Sequence, residues 1–427
     1  MLGVTKREAP GPHGEPTMES AGWDIVVAGA GPAGSRVAEL LASRGVSVLL
    51  LDPKAPWEKP CGGGLTAAAM AHTPELKELE PEGRTIRELV VMAPSGAGVV
   101  IPLRRPYVVV ARRTLSSWGL RRAEAAGARF VPAGLERCQR EQWGWSITDT
   151  DGRVHRTRWL VGADGATSRI RRVVAPRLCP ELAPTRVFYP EDGVGAARAV
   201  FRFLPAAQGY LWDFPRPDRH SLGIGVAPGT FARDRLDEAL AQHRLAETGA
   251  SDPSPSGGAV IATSAWESGS FGDLGGVDYA LLGDAAGLAD PATGEGIDYA
   301  LRSAALAAAA FSAQDGFTRY PEAAKAAFRD EIRRARWIRR WLYHPGLAEQ
   351  MVRQAQRSPR RALVLMAFAD AINEHGSLRG ALWRVLARRA PDFEVARAVC
   401  DCAPGGGSAP PPRSDQPPNR ASAGGTT

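Results

Sequence analysis

The chain has 427 residues, 53 basic against 46 acidic side chains and 44% hydrophobic content, which excludes wholesale disorder and a small stapled scaffold. Only Lys6, Lys54, Lys59, Lys77 and Lys325 are lysines; the arginines are scattered through helical stretches, so the net charge of +7 carries no nucleic-acid reading. Five cysteines, Cys61, Cys138, Cys179, Cys400 and Cys402, suggest neither a disulfide framework nor a metal cage. With no apolar run of about 18 residues and no signal-like core in residues 1–20, a cytoplasmic protein is expected.

In chain order, residues 1–20 read as a disordered tail rich in Pro and Gly. Asp24 to Ala28 reads as a buried strand, Pro32 to Ser43 as a helix stopped by Gly45, and Val46 to Leu51 as a second buried strand, a βαβ opening. Short β-rich runs from Glu88 to Val110 and from Val187 to Val226 predict an antiparallel sheet inserted into the α/β domain. The expected division is therefore a nucleotide-binding domain in three pieces (21–87, 111–186, 275–319), an inserted substrate sheet in two (88–110, 187–274), a helical region (320–402) and a tail (403–427). The fold class is α/β, of Rossmann type, with an inserted antiparallel sheet and a C-terminal helical region.

Gly29-Ala30-Gly31-Pro32-Ala33-Gly34 directly follows the first strand. Its glycines permit a tight turn, close approach of backbone to a pyrophosphate and close helix–strand packing, with the helix N-terminus facing the phosphates. Asp52 ends the second strand, where a carboxylate accepts hydrogen bonds from ribose hydroxyls. One fingerprint does not separate NAD from FAD. The decision passes to Leu282-Gly283-Asp284 and Gly294-Glu-Gly296-Ile297, whose acid suits a ribityl hydroxyl and whose helix start suits an anionic flavin ring.

These segments, with Gly162-Ala-Asp164-Gly165, resemble FAD enzymes of the para-hydroxybenzoate hydroxylase-like superfamily. Within it, Lys59-Pro60-Cys61-Gly62-Gly63-Gly64-Leu65 and Tyr210-Leu-Trp212-Asp-Phe214-Pro215 resemble the geranylgeranyl reductase family. The resemblance spans roughly residues 22–375 and implies FAD as cofactor, NADPH or another reductant as electron donor, and an isoprenoid lipid or prenylated small molecule as substrate. It implies that Asp52 holds the adenosine ribose, that Arg112 contacts the cofactor, that Asp164 belongs to the cofactor site, and that Gly283, Asp284, Gly294, Gly296 and Ile297 lie near the flavin. Two departures stand out: Pro205 precedes Tyr210 by five residues instead of three, and Ser116 replaces a common aspartate.

Reduction of an isolated trisubstituted alkene requires a proton before or with the hydride, because the double bond is electron-rich. A tertiary cation is stabilised by aromatic faces. Tyr210, Trp212 and Phe214 share one side of a strand and are expected over the flavin and along an apolar channel; the alternative is a plain sheet core. Cys61, in its glycine segment beside Lys59, is the candidate for proton-transfer or redox chemistry, and Gly62 and Gly64 for close backbone approach to the flavin; the alternative for Cys61 is a small buried filler. Within Arg329 to Leu342, Arg333, Arg334, Arg336, Arg339 and Arg340 combine with Trp337 and Trp341 at helical spacing, which suits peripheral contact with anionic lipid or, alternatively, a solvated arginine face with inward tryptophans. The competing functions are a flavin monooxygenase or halogenase on the same scaffold, and a non-catalytic flavoprotein or prenyl-lipid carrier.

Overall fold

The computed structural model describes residues 22–190, 197–204, 208–227, 236–242, 257–263, 270–344 and 346–375. The expected tails, Pro205, the Cys400 and Cys402 pair and the end of the helical region lie outside the described residues. The strands are β1 (Trp23–Ala28), β2 (Val48–Leu51), β3 (Gly64–Leu65), β4 (Arg84–Met92), β5 (Gly98–Val109), β6 (Arg129–Val131), β7 (Leu135–Glu141) and β8 (Gly144–Asp149). They continue with β9 (Val154–Gly162), β10 (Glu181–Phe188), β11 (Arg198–Phe203), β12 (Gly209–Pro215), β13 (His220–Val226), β14 (Gly257–Thr263) and β15 (Tyr279–Leu281). The α-helices are α1 (Pro32–Ala42), α2 (Ala67–His72), α3 (Arg112–Ala125), α4 (Arg169–Val174), α5 (Ile297–Ala310), α6 (Tyr320–Leu342), α7 (Leu347–Arg357) and α8 (Pro359–Asn373).

The first sheet runs β6-β2-β1-β9-β8-β7, with β15 on β9. Its β6, β2, β1, β9 and β15 are parallel neighbours, and β2 is apolar and buried throughout, as a parallel strand covered on both faces must be. Pro32 starts α1 at a position whose N–H has no helical partner, and Val37, Ala38 and Leu41 turn inward. The alanine-rich α5 contributes Ala300, Ala304, Ala307 and Ala308 to the same core. On the edge of β9 away from β1, β8 pairs with residues 154–157 and β15 with 160–162, so the Rossmann sheet carries an antiparallel meander at one side.

The second sheet runs β14-β10-β13-β12-β11-β4-β5-β3 and is antiparallel except for the parallel β11–β4 pair. It begins earlier than the sequence expectation: β3 joins it at Gly64, β4 opens at Arg84 and β10 at Glu181. Alternation along β12 divides its side chains between two cores. Trp212 and Phe214 pack with Val352 and Ala355 of α7 and Leu365 and Met366 of α8, while Leu211 joins Leu222, Ile224, Leu236 and Leu240 on the opposite face. The helical region thus caps the aromatic face of the sheet.

Candidate functional site

One end of the site is the turn between β1 and α1. Gly29 has φ +96°, and a β-carbon at Gly34 would fall 1.7 Å from Gly29 O, so the helix seats directly on the turn. No side chain caps α1 at Gly31, which leaves amide donors of the first turn pointing outward beside a hollow lined by Gly31, Pro32, Ser35, Leu115, Ser116 and Leu301. Asp52 Oδ2 accepts the Ala30 N–H at 2.8 Å, fixing the carboxylate against the same turn, and its Oδ1 accepts from Lys54 and Ala55. Ala33 is buried beneath the helix start.

Arg112 begins α3. Glu58 caps that helix by accepting the Arg112 and Arg113 amides at 3.0 Å each, while Nε of the buried Arg112 side chain has no hydrogen-bond partner among the described residues. A buried guanidinium nitrogen without an acceptor is costly unless a ligand supplies one. The uncapped helix, the ribose-height carboxylate and this unsatisfied arginine fit a dinucleotide with a pyrophosphate.

At the other end, three loops converge. Lys59 Nζ lies 3.0 Å from Asp284 Oδ2, and a β-carbon on Gly296 would lie 3.2 Å from Asp284 Oδ1, so the 59–64 segment, the Gly283 turn and the start of α5 meet at one carboxylate. Lys59 is therefore paired with Asp284, whereas the sequence placed it beside the thiol. Gly294 precedes α5 with φ +70°, and Ile297 is buried with Leu65, Trp118 and Leu301. Tyr210 donates its hydroxyl to the Thr293 carbonyl, which ties the aromatic row to this loop. Burial raises the pKa of Tyr210, so its phenol stays protonated.

A β-carbon at Gly62 would stand 2.7 Å from Phe214 Cδ2 and 3.3 Å from Trp212 Nε1. The backbone after Cys61 thus lies directly on the aromatic rings, and only glycine permits that approach. Gly64 sits 3.7 Å from Phe214 by the same measure. Tyr210 and Trp212 have ring centroids 6.0 Å apart, and Phe201 bridges Tyr210 and Phe214 at 5.4 and 5.0 Å. Cys61 is a partly exposed free thiol; its Sγ accepts from Gly63 N at 3.4 Å, and its carbonyl accepts from Ser221 Oγ at 2.9 Å and Arg216 at 3.3 Å.

Asp164 lies beside the first turn, where a β-carbon at Gly29 would stand 3.0 Å from its Cα. Its carboxylate accepts from Ser168 Oγ at 2.5 Å and from the Arg169 amide at 2.7 Å, holding the start of α4. Arg171 of that helix donates to the Asp284 and Ala285 carbonyls, so Asp164 reaches the flavin-side turn through α4. Sequence reasoning missed Glu58, Tyr107, Tyr189 and Arg216. Arg216 is 2% exposed, pairs with Glu58 at 2.9 Å and stacks over Tyr189 at 4.5 Å, bracketing the Cys61 backbone. Tyr107 packs edge-on to Phe214 with a buried hydroxyl that has no hydrogen-bond partner among the described residues. The position of Arg216 directly after Phe214-Pro215 is the one signal that could have found it.

The family model described as lycopene cyclase protein matches residues 24–182. The chain is 31% identical to digeranylgeranylglycerophospholipid reductase 2 of Methanopyrus kandleri over 65% of this chain and 74% of that protein. It is 31% identical to menaquinone reductase of Mycobacterium tuberculosis, covering 68% of this chain and 77% of the relative. A solved geranylgeranyl bacteriochlorophyll reductase-like protein from Thermoplasma acidophilum superposes with a TM-score of 0.56 at 19% identity over 87% of this chain and 97% of that one, a likeness of fold. Cofactor-shaped turn, aromatic row and glycine segment coincide with this kinship across three quarters of a curated relative, and the chain belongs to the geranylgeranyl reductase family of FAD-dependent oxidoreductases.

Proposed function

We propose that the protein reduces carbon–carbon double bonds in an isoprenoid chain carried by a lipid, quinone or pigment. The single observation that carries this reading is the packing of Gly62 onto Trp212 and Phe214, which sets the Cys61 segment against a row of aromatic faces. In this assignment the 29–34 turn and the α1 N-terminus bind the pyrophosphate, Arg112 adds a cation, Asp52 holds the adenosine ribose, and Asp284, Gly296 and Ile297 border the flavin. When bound and reduced, the flavin supplies a hydride. NADPH or another reductant reloads it.

The residues of the chain supply the remainder. Cys61 delivers a proton to one alkene carbon, and the rings of Tyr210, Trp212 and Phe214 stabilise positive charge on the other by about 0.5–2 kcal/mol per contact. The apolar surroundings of the row exclude water that would capture the cation. Asp164 acts by positioning α4 and the Asp284 turn. The outward tryptophans of α6 are the surface by which the enzyme meets a bilayer containing its substrate.

The test supplies chemically reduced flavin and a prenylated lipid or quinone without oxygen and follows the product by mass spectrometry. Each reduced bond adds two hydrogens, and Cys61→Ala is expected to lower single-turnover rates about 10²-fold with flavin still bound. Turnover that requires oxygen or halide instead assigns the site to the monooxygenase or halogenase class; bound flavin with no turnover assigns it to a carrier.

A further inference from the structure

Behind the 290–297 loop lies a cluster of titratable groups that flavin binding and the aromatic row leave unused. Glu295 Oε1 accepts the Asp298 N–H at 2.8 Å, folding the carboxylate back over the start of α5, while its buried Oε2 accepts no hydrogen bond among the described residues. His375, with φ 47°, follows the end of α8 and presents one ring nitrogen to each of two carboxylates. Its Nε2 is 3.7 Å from Glu295 Oε2 and its Nδ1 is 3.1 Å from Asp298 Oδ2. On the far side of Asp298, whose side chain is fully buried, His72 Nδ1 lies 3.1 Å from Oδ1. The His72 side chain is 39% exposed, against 9% for His375, so the series runs from solvent to interior.

We propose that His72, Asp298, His375 and Glu295 form a proton relay connecting solvent with the flavin-side loop. The four groups come from α2, α5, the end of α8 and the loop itself, and a purely structural bridge would not leave a buried carboxylate oxygen without a donor. The other charged groups facing the cluster are Arg302, 3.4 Å from Asp298 and paired with Glu331, and Asp290 on the loop; Tyr299 packs on the His375 ring at 5.4 Å. Burial pushes the Glu295 carboxyl up to about 7. Against burial, the adjacent rings of His375 and His72 and the charge of Arg302 hold Asp298 far below the carboxylate range. Against burial again, Asp298 and Glu295 lift His375 to about 9, so the cluster keeps protons in store near neutral pH.

Each reduced double bond gains one hydride and one proton. The Glu295 O–H bond breaks as its proton passes to the Cys61 thiolate left when the alkene is protonated, or, without alkene, to the flavin as it would take up two electrons, and the electron pair stays on the carboxylate. His375 Nε2 returns a proton to Glu295, and the imidazole regains one at Nδ1 across Asp298 from His72, which takes it from water. Nothing is oxidised or reduced in these transfers. The relay rests on the reductase reading only for what consumes the proton.

The test uses the full-length, flavin-loaded protein and follows proton uptake with an indicator dye while the flavin is reduced electrochemically without any alkene. Uptake is expected to slow about 10²-fold in E295Q and about tenfold in H72Q, with added imidazole restoring H72Q. Wild-type uptake rates in H72Q overturn the relay whether or not E295Q folds, because His72 is the part-exposed end. Histidine-labelled protein gives a second readout by magnetic resonance: the His375 titration is expected to move in H72Q, and a His375 titration unchanged by that substitution overturns the proposal. A protein that shows these uptake rates yet reduces no prenyl substrate refutes the reductase reading and sustains the relay.

Discussion

At Gly31 an added β-carbon would meet no protein atom within 4 Å, whereas at Gly62 it would press on Phe214 at 2.7 Å. The two glycines therefore differ in surroundings, Gly31 facing open space and Gly62 the rings of the protein. Gly31→Ala, at φ −72°, should change unfolding free energy by no more than about 0.5 kcal/mol yet lower the flavin absorbance retained per protein through gel filtration. Gly62→Ala should cost about 1–3 kcal/mol in urea unfolding, because Phe214 must move within a packed core; unchanged stability would remove the close approach on which the site reading stands. A third residue-scale effect belongs to His375. Its folded-state pKa, about 9 against an ordinary 6.5, means that its stabilisation is complete below about pH 6.5 and is lost as pH rises through about 9. Glu295, raised from 4.5 to about 7, acts in the same sense over a lower window, while the depressed Asp298 matters only as pH falls below its ordinary 3.8. Between pH 7 and 9 the wild type should lose on the order of 2 kcal/mol, and His375→Gln should be less stable at pH 7 with that slope flattened, as read from urea midpoints.

The first helix was legible in the sequence because its signals are local: a buried apolar strand, Pro32 at the first helical position, inward residues at helical spacing and Gly45 just beyond the end. The start of α3 was not, because its cap comes from Glu58, 54 residues earlier, and the charge that holds Glu58 in place comes from Arg216. No spacing rule reaches such partners. The 155-residue separation between Arg216 and the Cys61 carbonyl hides that contact in the same way. Local signals also misplace edges: Pro184 within β10 reads as a break, yet it pairs in register with Val260. The aromatic row was readable from alternation alone, but its partner, the Gly62 backbone, needed the fold. Glu58→Gln tests the long-range cap. Removing the charge that caps α3 and pairs with a 2%-exposed arginine should cost about 2–3 kcal/mol and weaken flavin retention through Arg112. A variant as stable as the wild type, measured by urea unfolding, would separate α3 from the site.

Across the whole molecule, α6 joins the outer surface to the loop that holds the aromatic row. Phe328, Ile332, Ala335 and Leu342 face inward, whereas Trp337 and Trp341 are 55% and 50% exposed with rings 6.1 Å apart, contrary to an inward-packed tryptophan face. Arg329, Arg333 and Arg340 share that exposed side, and Arg339 is turned away onto Glu181 at 2.8 Å. Exposed indoles interleaved with arginines suit the interface of an anionic bilayer. Just past the helix, Tyr343 donates to the Ala292 carbonyl at 2.6 Å, and the neighbouring Thr293 carbonyl accepts from Tyr210, so the outward face and the aromatic row share one loop. Among the described residues no helix is long and apolar enough to cross a membrane. At about 1 kcal/mol per basic residue near an anionic surface, Arg329→Ala, Arg333→Ala and Arg340→Ala together should weaken co-sedimentation with anionic vesicles about 10²-fold. Salt should weaken the wild type in the same direction, and Trp337→Ala with Trp341→Ala should weaken binding even to uncharged vesicles. Because these side chains lie outside the aromatic row, the variants should keep the kcat of the wild type on a short, detergent-dispersed prenyl substrate and show a raised KM only when the substrate is embedded in a bilayer. Wild-type protein that stays in the supernatant with anionic vesicles would sink the membrane role and leave the chemistry of the site untouched.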